Sequence, residues 1–476
     1  MDASLQIRPH LQVLTPEQIN RIHERSLHLL ATVGVRVDSP RAREVFERAI
    51  GRPAEENRVR IPPELVEHAI AQAPAEVEIY DRRGEFAFRL GEGAPTRFGI
   101  GVTALFYQEP ANDAITPFSR QNMADMVLLG NHLESYDLIS TAGIVRDVEP
   151  DVSDLYATLE MIANTTKPLV TLISDERRYG DVLDMAEMLH GDLGEKPFII
   201  PYFNPISPLV INEGTTDKMF ETMARGLPFI YSNYGMAGAT TPITAAGSLV
   251  LLNAELLAGL TWSQLVKPGA AVILGSLPAF FDMRGMGSFY DAHSYLINLA
   301  CAEMMAHYKL PHAGTSGSGI GWGADLIAAG HQWINHLTSV LNVVGMVPFV
   351  GDNFDSKVFS PTLVVYADEV IAQARRLAQG FSLDDALLAI EDIIDVGPGG
   401  DFLISPSTMA HFRHAYFTSK IWPNLSLEAW EEKGHPQPDA LLRQRTQDIL
   451  SSLKPPEDHD ELLARGEAFI HKKPMV

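Results

Sequence analysis

With 476 residues, 46% of them apolar and 20% charged, the chain holds more apolar material than a disordered polymer and must bury a large core. Its 37 Lys and Arg against 60 Asp and Glu give a formal charge of −23; no basic stripe is present, so nucleic acid is not expected as a partner. The one cysteine, Cys301, excludes an intramolecular disulfide and any Cys-rich metal cluster, and it fits a reducing, cytoplasmic setting.

Residues 1–95 are expected to form an α+β cap. The N-terminus has no basic region followed by an apolar one, so export is not expected. Thr15-Pro-Glu-Gln18 is a capping box with proline at the first helical position, and a stripe from Ile19 to Leu30 predicts a helix ending near Gly34. Extended pieces follow at residues 35–37, 59–61 and 77–80.

Residues 96–360 read as repeated β-then-α units. Short apolar runs lie at 98–103, 138–144, 169–173, 198–202, 229–232, 271–274, 312–315 and 343–347, separated by helical segments. Eight such units with strands apolar on both faces predict a (β/α)8 TIM barrel, class α/β. The competing doubly wound sheet lacks its phosphate loop, because Phe98-Gly-Ile-Gly-Val-Thr continues as Ala-Leu-Phe-Tyr and is no G-x-G-x-x-G. The apolar stretch 245–266 is broken by Asn253, Glu255, Ser263 and Gln264, and predicts a buried helix, not a membrane span. Residues 361–476 predict a C-terminal helical extension packed on the barrel or on a neighbouring subunit.

In a barrel, chemistry sits just past the C-terminal ends of the strands. Those positions hold Phe106, Tyr107, Asn204, Tyr234, Phe280, Phe281, Arg284, Ser316, Trp322, Phe349, Asp352 and Asn353. Each ring taken alone does no more than pack a loop; together they predict an aromatic mouth with few ionisable groups, suited to an apolar or quaternary ammonium ligand. Arg284, the one arginine in the later loops, is the candidate for a ligand carboxylate, with His312 second. At least two of Phe280, Phe281, Tyr234 and Trp322 are expected at the ligand. The glycines at 285–287 and 314–323 are candidates for a movable rim.

Metal chemistry has little support. His411 and His414 have no recognisable third ligand, and His331 and His336, five apart, point to separate satisfied polar contacts. Gly314-Thr-Ser-Gly-Ser318 does not match a nucleophile turn. Asp291-Ala-His293 begins like a corrinoid-ligating D-x-H-x-x-G turn but lacks its glycine and continues as helix, so this chain is not expected to carry a corrinoid.

The order and spacing of several stretches are more specific than any of these. They include Leu14-Thr-Pro-Glu-Gln-Ile, Val33-Gly-Val-Arg-Val37, Asn204-Pro-Ile-Ser-Pro-Leu209, Gly238-Ala-Thr-Thr-Pro-Ile, Asn253-Ala-Glu-Leu-Leu-Ala-Gly259, Asp282-Met-Arg284 and Val396-Gly-Pro-Gly-Gly-Asp-Phe-Leu403. With them the chain resembles the trimethylamine methyltransferase family almost end to end. The resemblance implies a homo-oligomeric (β/α)8 barrel that binds a small methylated amine and presents a methyl to the cobalamin of a separate corrinoid protein, with no cofactor of its own. Founding members use pyrrolysine; Gly345-Met-Val-Pro-Phe-Val-Gly351 here holds ordinary residues. That departure points to the non-pyrrolysine branch and a quaternary amine such as glycine betaine. Two other readings are a barrel that binds a quaternary amine without turnover and a metal-dependent methyltransferase, the latter disfavoured by the single cysteine.

Overall fold

The computed structural model describes residues 5–314 and 319–473. Near the N-terminus, α1 (Pro16–Thr32) starts on the capping box read from sequence: the Thr15 hydroxyl accepts the Gln18 N–H, and the Gln18 side chain accepts the Thr15 N–H.

The central sheet contains β1 (Arg97–Ile100), β2 (Leu138–Ser140), β3 (Leu169–Thr171), β4 (Ile199–Phe203), β5 (Phe229–Ala237), β6 (Val272–Asp282), β7 (Gly287–Phe289) and β8 (Met346–Val350). From β6 back through β5, β4, β3, β2 and β1 to β8, every neighbouring pair is parallel. Closure runs through residues 312–313, where His312 bridges Leu274 and Ala313 bridges Met346, both in parallel. Each of the eight apolar runs read from sequence thus joins one closed ring of strands. Among the described residues the seventh is reduced to two bridging residues, and β6 runs close beside them. A Cβ on Gly275 would stand 1.8 Å from the Ala313 carbonyl oxygen.

β5 and β6 extend well past the predicted 229–232 and 271–274. They remain paired from Phe229↔Val272 to Ala237↔Phe280, and β7 returns antiparallel on β6. The polar and small residues Asn233, Gly235, Gly275 and Ser276 hid this continuation; Asn233 and Ser276 are buried and bond each other, the Ser276 hydroxyl donating to Asn233 Oδ1 at 2.9 Å. At the opposite end, an antiparallel hairpin of Val77–Tyr80 and Phe86–Leu90 plugs the barrel. Its Val77, Ile79, Phe88 and Leu90 join the interior cluster of Leu138, Val170, Ile200, Ile230, Ile273 and Met346.

The apolar helix α2 (Ala245–Val266) has the length and composition of a membrane span but is mostly buried inside the structure. Two of its polar side chains are anchored: Asn253 Nδ2 donates to Ser26 and Tyr308 hydroxyls, and Glu255 accepts from Ser207 Oγ, Leu209 N and Asn233 Nδ2. On α3 (Ala292–His307), the buried Glu303 carboxylate accepts the N–H groups of Val13 and Leu14, each at 2.7 Å, and the Asn342 amide. Glu303→Ala would leave those donors unpaired, so unfolding free energy is expected to fall by about 3 kcal/mol, as read by urea denaturation.

Past the barrel, α4 (Leu326–Leu341) packs on α5 (Pro361–Gln379). The helices Pro438–Ser452 and His459–Ile470 return onto the barrel helices, the last held through Glu467 to Arg120 and, just before it, Asp458 to Arg82.

Candidate functional site

A cavity of about 300 Å3 opens at the C-terminal end of the barrel. Tyr202 on β4, Asn204 just after it, Tyr234 on β5, Leu277 on β6 and Phe349 on β8 face into it, with Thr103, Tyr290, Asp355 and Ser356 from loops. Tyr234 and Leu277 share a face because they are register partners in the ribbon. Tyr202 and Phe349 meet edge to face with centroids 5.1 Å apart.

Backbone strain is concentrated here. Phe354, Asp355 and Ser356 all have φ between 49° and 62°, and Thr103 has φ of 59°. Such left-handed conformations at residues other than glycine cost of order 1 kcal/mol each and persist where the surroundings impose them. The loop is held by Asp355 N donating to Gly319 O at 2.7 Å and Phe354 N to Gly321 O at 3.1 Å. Its result is to turn Asp355 and Ser356 toward the cavity. The Ser356 hydroxyl donates to the buried Asp352 carboxylate.

Electrostatics set the protonation of these groups. Burial pushes the Tyr202 phenol up to about 12, opposed by hydrogen bonds from Ser232 and Asn204. Burial also raises Tyr234, with the Asp355 charge acting in the same sense. The half-buried Asp355 is raised above the ordinary carboxylate value of 3.8 by desolvation, against a favourable charge from Lys357. Neutral phenols and one carboxylate therefore face the cavity. Thr103 adds a hydroxyl whose oxygen is buried without a hydrogen-bond partner.

Of the residues predicted from sequence, Asn204 and Tyr234 line the cavity, as does Phe349. Asn204 is oriented by its amide donating to the Ser232 carbonyl at 2.8 Å. Phe280 takes the other face of the ribbon, 6.1 Å from Phe289 and 6.5 Å from His293, because strand alternation turns it away from the Leu277 side. Phe281 has the Leu277 parity but stands four residues farther out, opposite Ser288. Trp322 is 69% exposed, outside the cavity lining, and its carbonyl accepts from Gln108. Among the four rings from which at least two were expected at the ligand, Tyr234 alone lines the cavity.

Several other assignments need correction. Arg284 sits at the exposed tip between β6 and β7, where Asp282 accepts its backbone N–H and that of Gly285; the guanidinium is not part of the cavity wall. The glycines there close a tight turn. His312 faces outward to α3 because Ala313 takes the inward position of the closing segment. Burial pushes His312 down to about 3, leaving it neutral. Tyr107 is buried against Phe118 and Phe106 stacks under Arg146, both in a small side sheet. Asp352 lies wholly buried behind Ser356. Ser316 and residues 315–318 of the Gly-rich segment lie outside the described residues.

Among the histidines considered for metal, His331 bonds Tyr295. His336 instead packs edge-on to Phe98 with neither ring nitrogen partnered, contrary to the expectation of satisfied contacts. No cluster of three or more His, Cys, Asp or Glu suited to a metal occurs among the described residues. Asp291 caps α3 by accepting the N–H groups of His293 and Ser294, so the Asp291–His293 pair serves the helix start and is a poor match for a cobalt-ligating turn.

Tyr202, Tyr290, Thr103 and Asp355 were not singled out in the sequence. Tyr202 lies inside a strand whose predicted end, residue 202, falls one short of the observed Phe203, and extending the search one step into each strand would have found it. Tyr290 and Asp355 depend on the unforeseen β7 return and on the left-handed loop, for which the sequence carries no glycine signal.

The sequence profile described as Trimethylamine methyltransferase (MTTB) matches residues 3–475. A glycine betaine methyltransferase of Desulfitobacterium hafniense (strain Y51) is 27% identical, with 98% of each chain covered. Trimethylamine methyltransferase MttB from strain DSM 10664 / DCB-2 of the same species is 26% identical over 88% of this chain and 85% of its own. The crystal structure of the Methanosarcina barkeri monomethylamine methyltransferase (MtmB) aligns over 100% of this chain and 90% of its own at a TM-score of 0.54 and 8% identity, a likeness of fold alone. Sequence coverage from end to end and the parallel barrel with its aromatic mouth agree: the chain belongs to the trimethylamine methyltransferase (MTTB) family of methyltransferases.

Proposed function

We propose that this chain takes a methyl group from a quaternary ammonium compound of the betaine type and passes it to the corrinoid of a separate protein. One observation carries the reading: a mouth cavity that gathers Tyr202, Tyr234, Tyr290 and Phe349 around one carboxylate, Asp355. Ring faces attract a trimethylammonium group through their quadrupoles while packing its methyls, and a single carboxylate supplements them.

In this reading the corrinoid supplies the nucleophile. The chain's task is to hold one methyl on the line of attack and to exclude water. When the C–N bond breaks, its electron pair stays on nitrogen, so the amine leaves neutral and no proton is required. This suits raised phenols that remain protonated and serve as hydrogen-bond donors.

With Arg284 outside the cavity wall, Thr103 and Asn204 are the nominees for the betaine carboxylate, the first for its unpartnered buried hydroxyl. Thr103→Val is expected to weaken glycine betaine binding roughly fivefold and to leave tetramethylammonium unchanged. Equal losses for both ligands, measured by calorimetry, would defeat that assignment. Arg284→Ala is expected to leave betaine affinity unchanged.

The function itself is tested by mixing the purified chain, a panel of betaines and reduced corrinoid protein, and measuring demethylated amine. Ligand-dependent thermal stabilisation without demethylation of any panel member would favour the non-catalytic binding barrel instead.

A further inference from the structure

We infer that Asp352 is a positioning residue: from behind the barrel mouth it ties down Ser356 and so fixes the turn that aims the Asp355 carboxylate into the cavity. The inference rests on the reading above, in which Asp355 meets the cation of the ligand. Asp352 itself is wholly buried and is not part of the cavity wall, so it reaches a ligand through what it holds.

Residues 354–357 link two short strands, Asp352–Asn353 and Val358–Phe359, which pair antiparallel as Asp352↔Phe359 and Asn353↔Val358. Phe354, Asp355 and Ser356 all stand in the left-handed region, which residues other than glycine avoid and which is visited singly, not in runs. A turn that its own residues disfavour must be held from outside. Main-chain bonds hold it at three points: Phe354 N donates to Gly321 O, Asp355 N to Gly319 O, and Lys357 O accepts from Leu105 N and Phe106 N. Ser356 is tied by its side chain. Among the described residues, its hydroxyl on the Asp352 carboxylate is the one side-chain hydrogen bond made by residues 354–357.

The surroundings leave this pair little freedom. A Cβ on Gly319 would stand 2.9 Å from Ser356 N, 2.9 Å from Ser356 Oγ and 3.0 Å from Asp352 Oδ2, so the bond is packed against bare backbone. On the cavity side, a Cβ on Gly287 would stand 3.8 Å from Asp355 Oδ2, which places that carboxylate beside the start of β7. Returning residue 355 to negative φ would redirect its Cα–Cβ bond and take the carboxylate away from this position. The orientation of the charged group in the mouth thus depends on a buried aspartate three residues earlier in the chain.

The first test needs no ligand. Crystal structures of the full chain carrying Asp352→Val or Ser356→Ala are expected to show residues 354–356 relaxed to negative φ and Asp355 displaced from the cavity wall. Each variant removes one half of the bond, so either structure decides the matter where the other variant is insoluble. A left-handed turn that persists with Asp355 in place would overturn the inference.

The second test reads affinity for tetramethylammonium by calorimetry. Asp352→Val is expected to weaken binding roughly fivefold, and Asp352→Asn, which removes the charge but keeps an acceptor for Ser356, to recover most of that loss. Equal losses in the two variants would assign the effect to charge alone and overturn the inference. In an Asp355→Asn background, Asp352→Val is expected to cost less than about 1.5-fold, because the group it positions is gone. A general structural role predicts the same loss in both backgrounds, and that result would also overturn the inference. A wild type that binds no quaternary ammonium ion defeats the betaine reading instead, and the crystal structures then decide the role of Asp352 on their own.

Discussion

Asp355→Asn is expected to raise KM for a trimethylammonium substrate roughly tenfold, equivalent to about 1.4 kcal/mol, while kcat stays level or rises. The carboxylate faces the cavity beside the Tyr234 phenol and attracts a cation. As the methyl departs, the positive charge on nitrogen disappears, so this attraction favours the bound substrate over the transition state. Removing it costs affinity without adding to the chemical barrier. The same group predicts the acid side of the pH profile. Cation affinity is present while Asp355 is ionised and declines as pH falls through its pKa. Desolvation places that pKa above the ordinary 3.8, so the limb lies at higher pH than for an exposed aspartate and vanishes in Asp355→Asn. Steady-state kinetics across pH with a quaternary substrate check both. A fall in kcat at unchanged KM would assign Asp355 to the transition state instead.

The second large effect concerns the barrel's closure. Gly275→Ala is expected to destabilise the fold on the order of 3 kcal/mol or to abolish soluble expression. Its Cβ would lie 1.8 Å from the Ala313 carbonyl oxygen and 3.1 Å from Ser232 Oγ. The first contact is with backbone in the closing segment, which has no rotamer by which to yield. Relief requires β6 and residues 312–313 to part, and the Leu274–His312 bridge that closes the ring is one residue away. Gly330→Ala is the matching control: it lies within α4 with nothing inside 4 Å of the added methyl, so stability should rise by about 0.5–1 kcal/mol. Denaturant midpoints of the two variants against wild type distinguish strain at closure from a general effect of adding a methyl.

Much of this architecture was legible in one dimension. Local chemistry sufficed for α1, whose capping box forms as written, and for α2, whose Asn253 and Glu255 belong to a buried helix with polar partners. Strand runs apolar on both faces located all eight units of the ring, since only strands covered on both sides need that pattern. The order of motifs was sufficient for the family.

Tertiary structure decided the site. Which side of a strand a residue takes turns on a one-residue parity that the ends of apolar runs do not define. Parity turned Phe280 and His312 outward and left Tyr202, Tyr234 and Phe349 facing the cavity. The length of the β5–β6 ribbon carried Arg284 out to an exposed tip, although it follows the strand closely in sequence. Asp355 reaches the cavity through a left-handed backbone at three successive non-glycine residues, a conformation that local propensity disfavours and only the packed surroundings impose. Sequence determines what each segment prefers; the closed ring decides which side chains meet, because that choice is made by contacts between residues far apart in the chain.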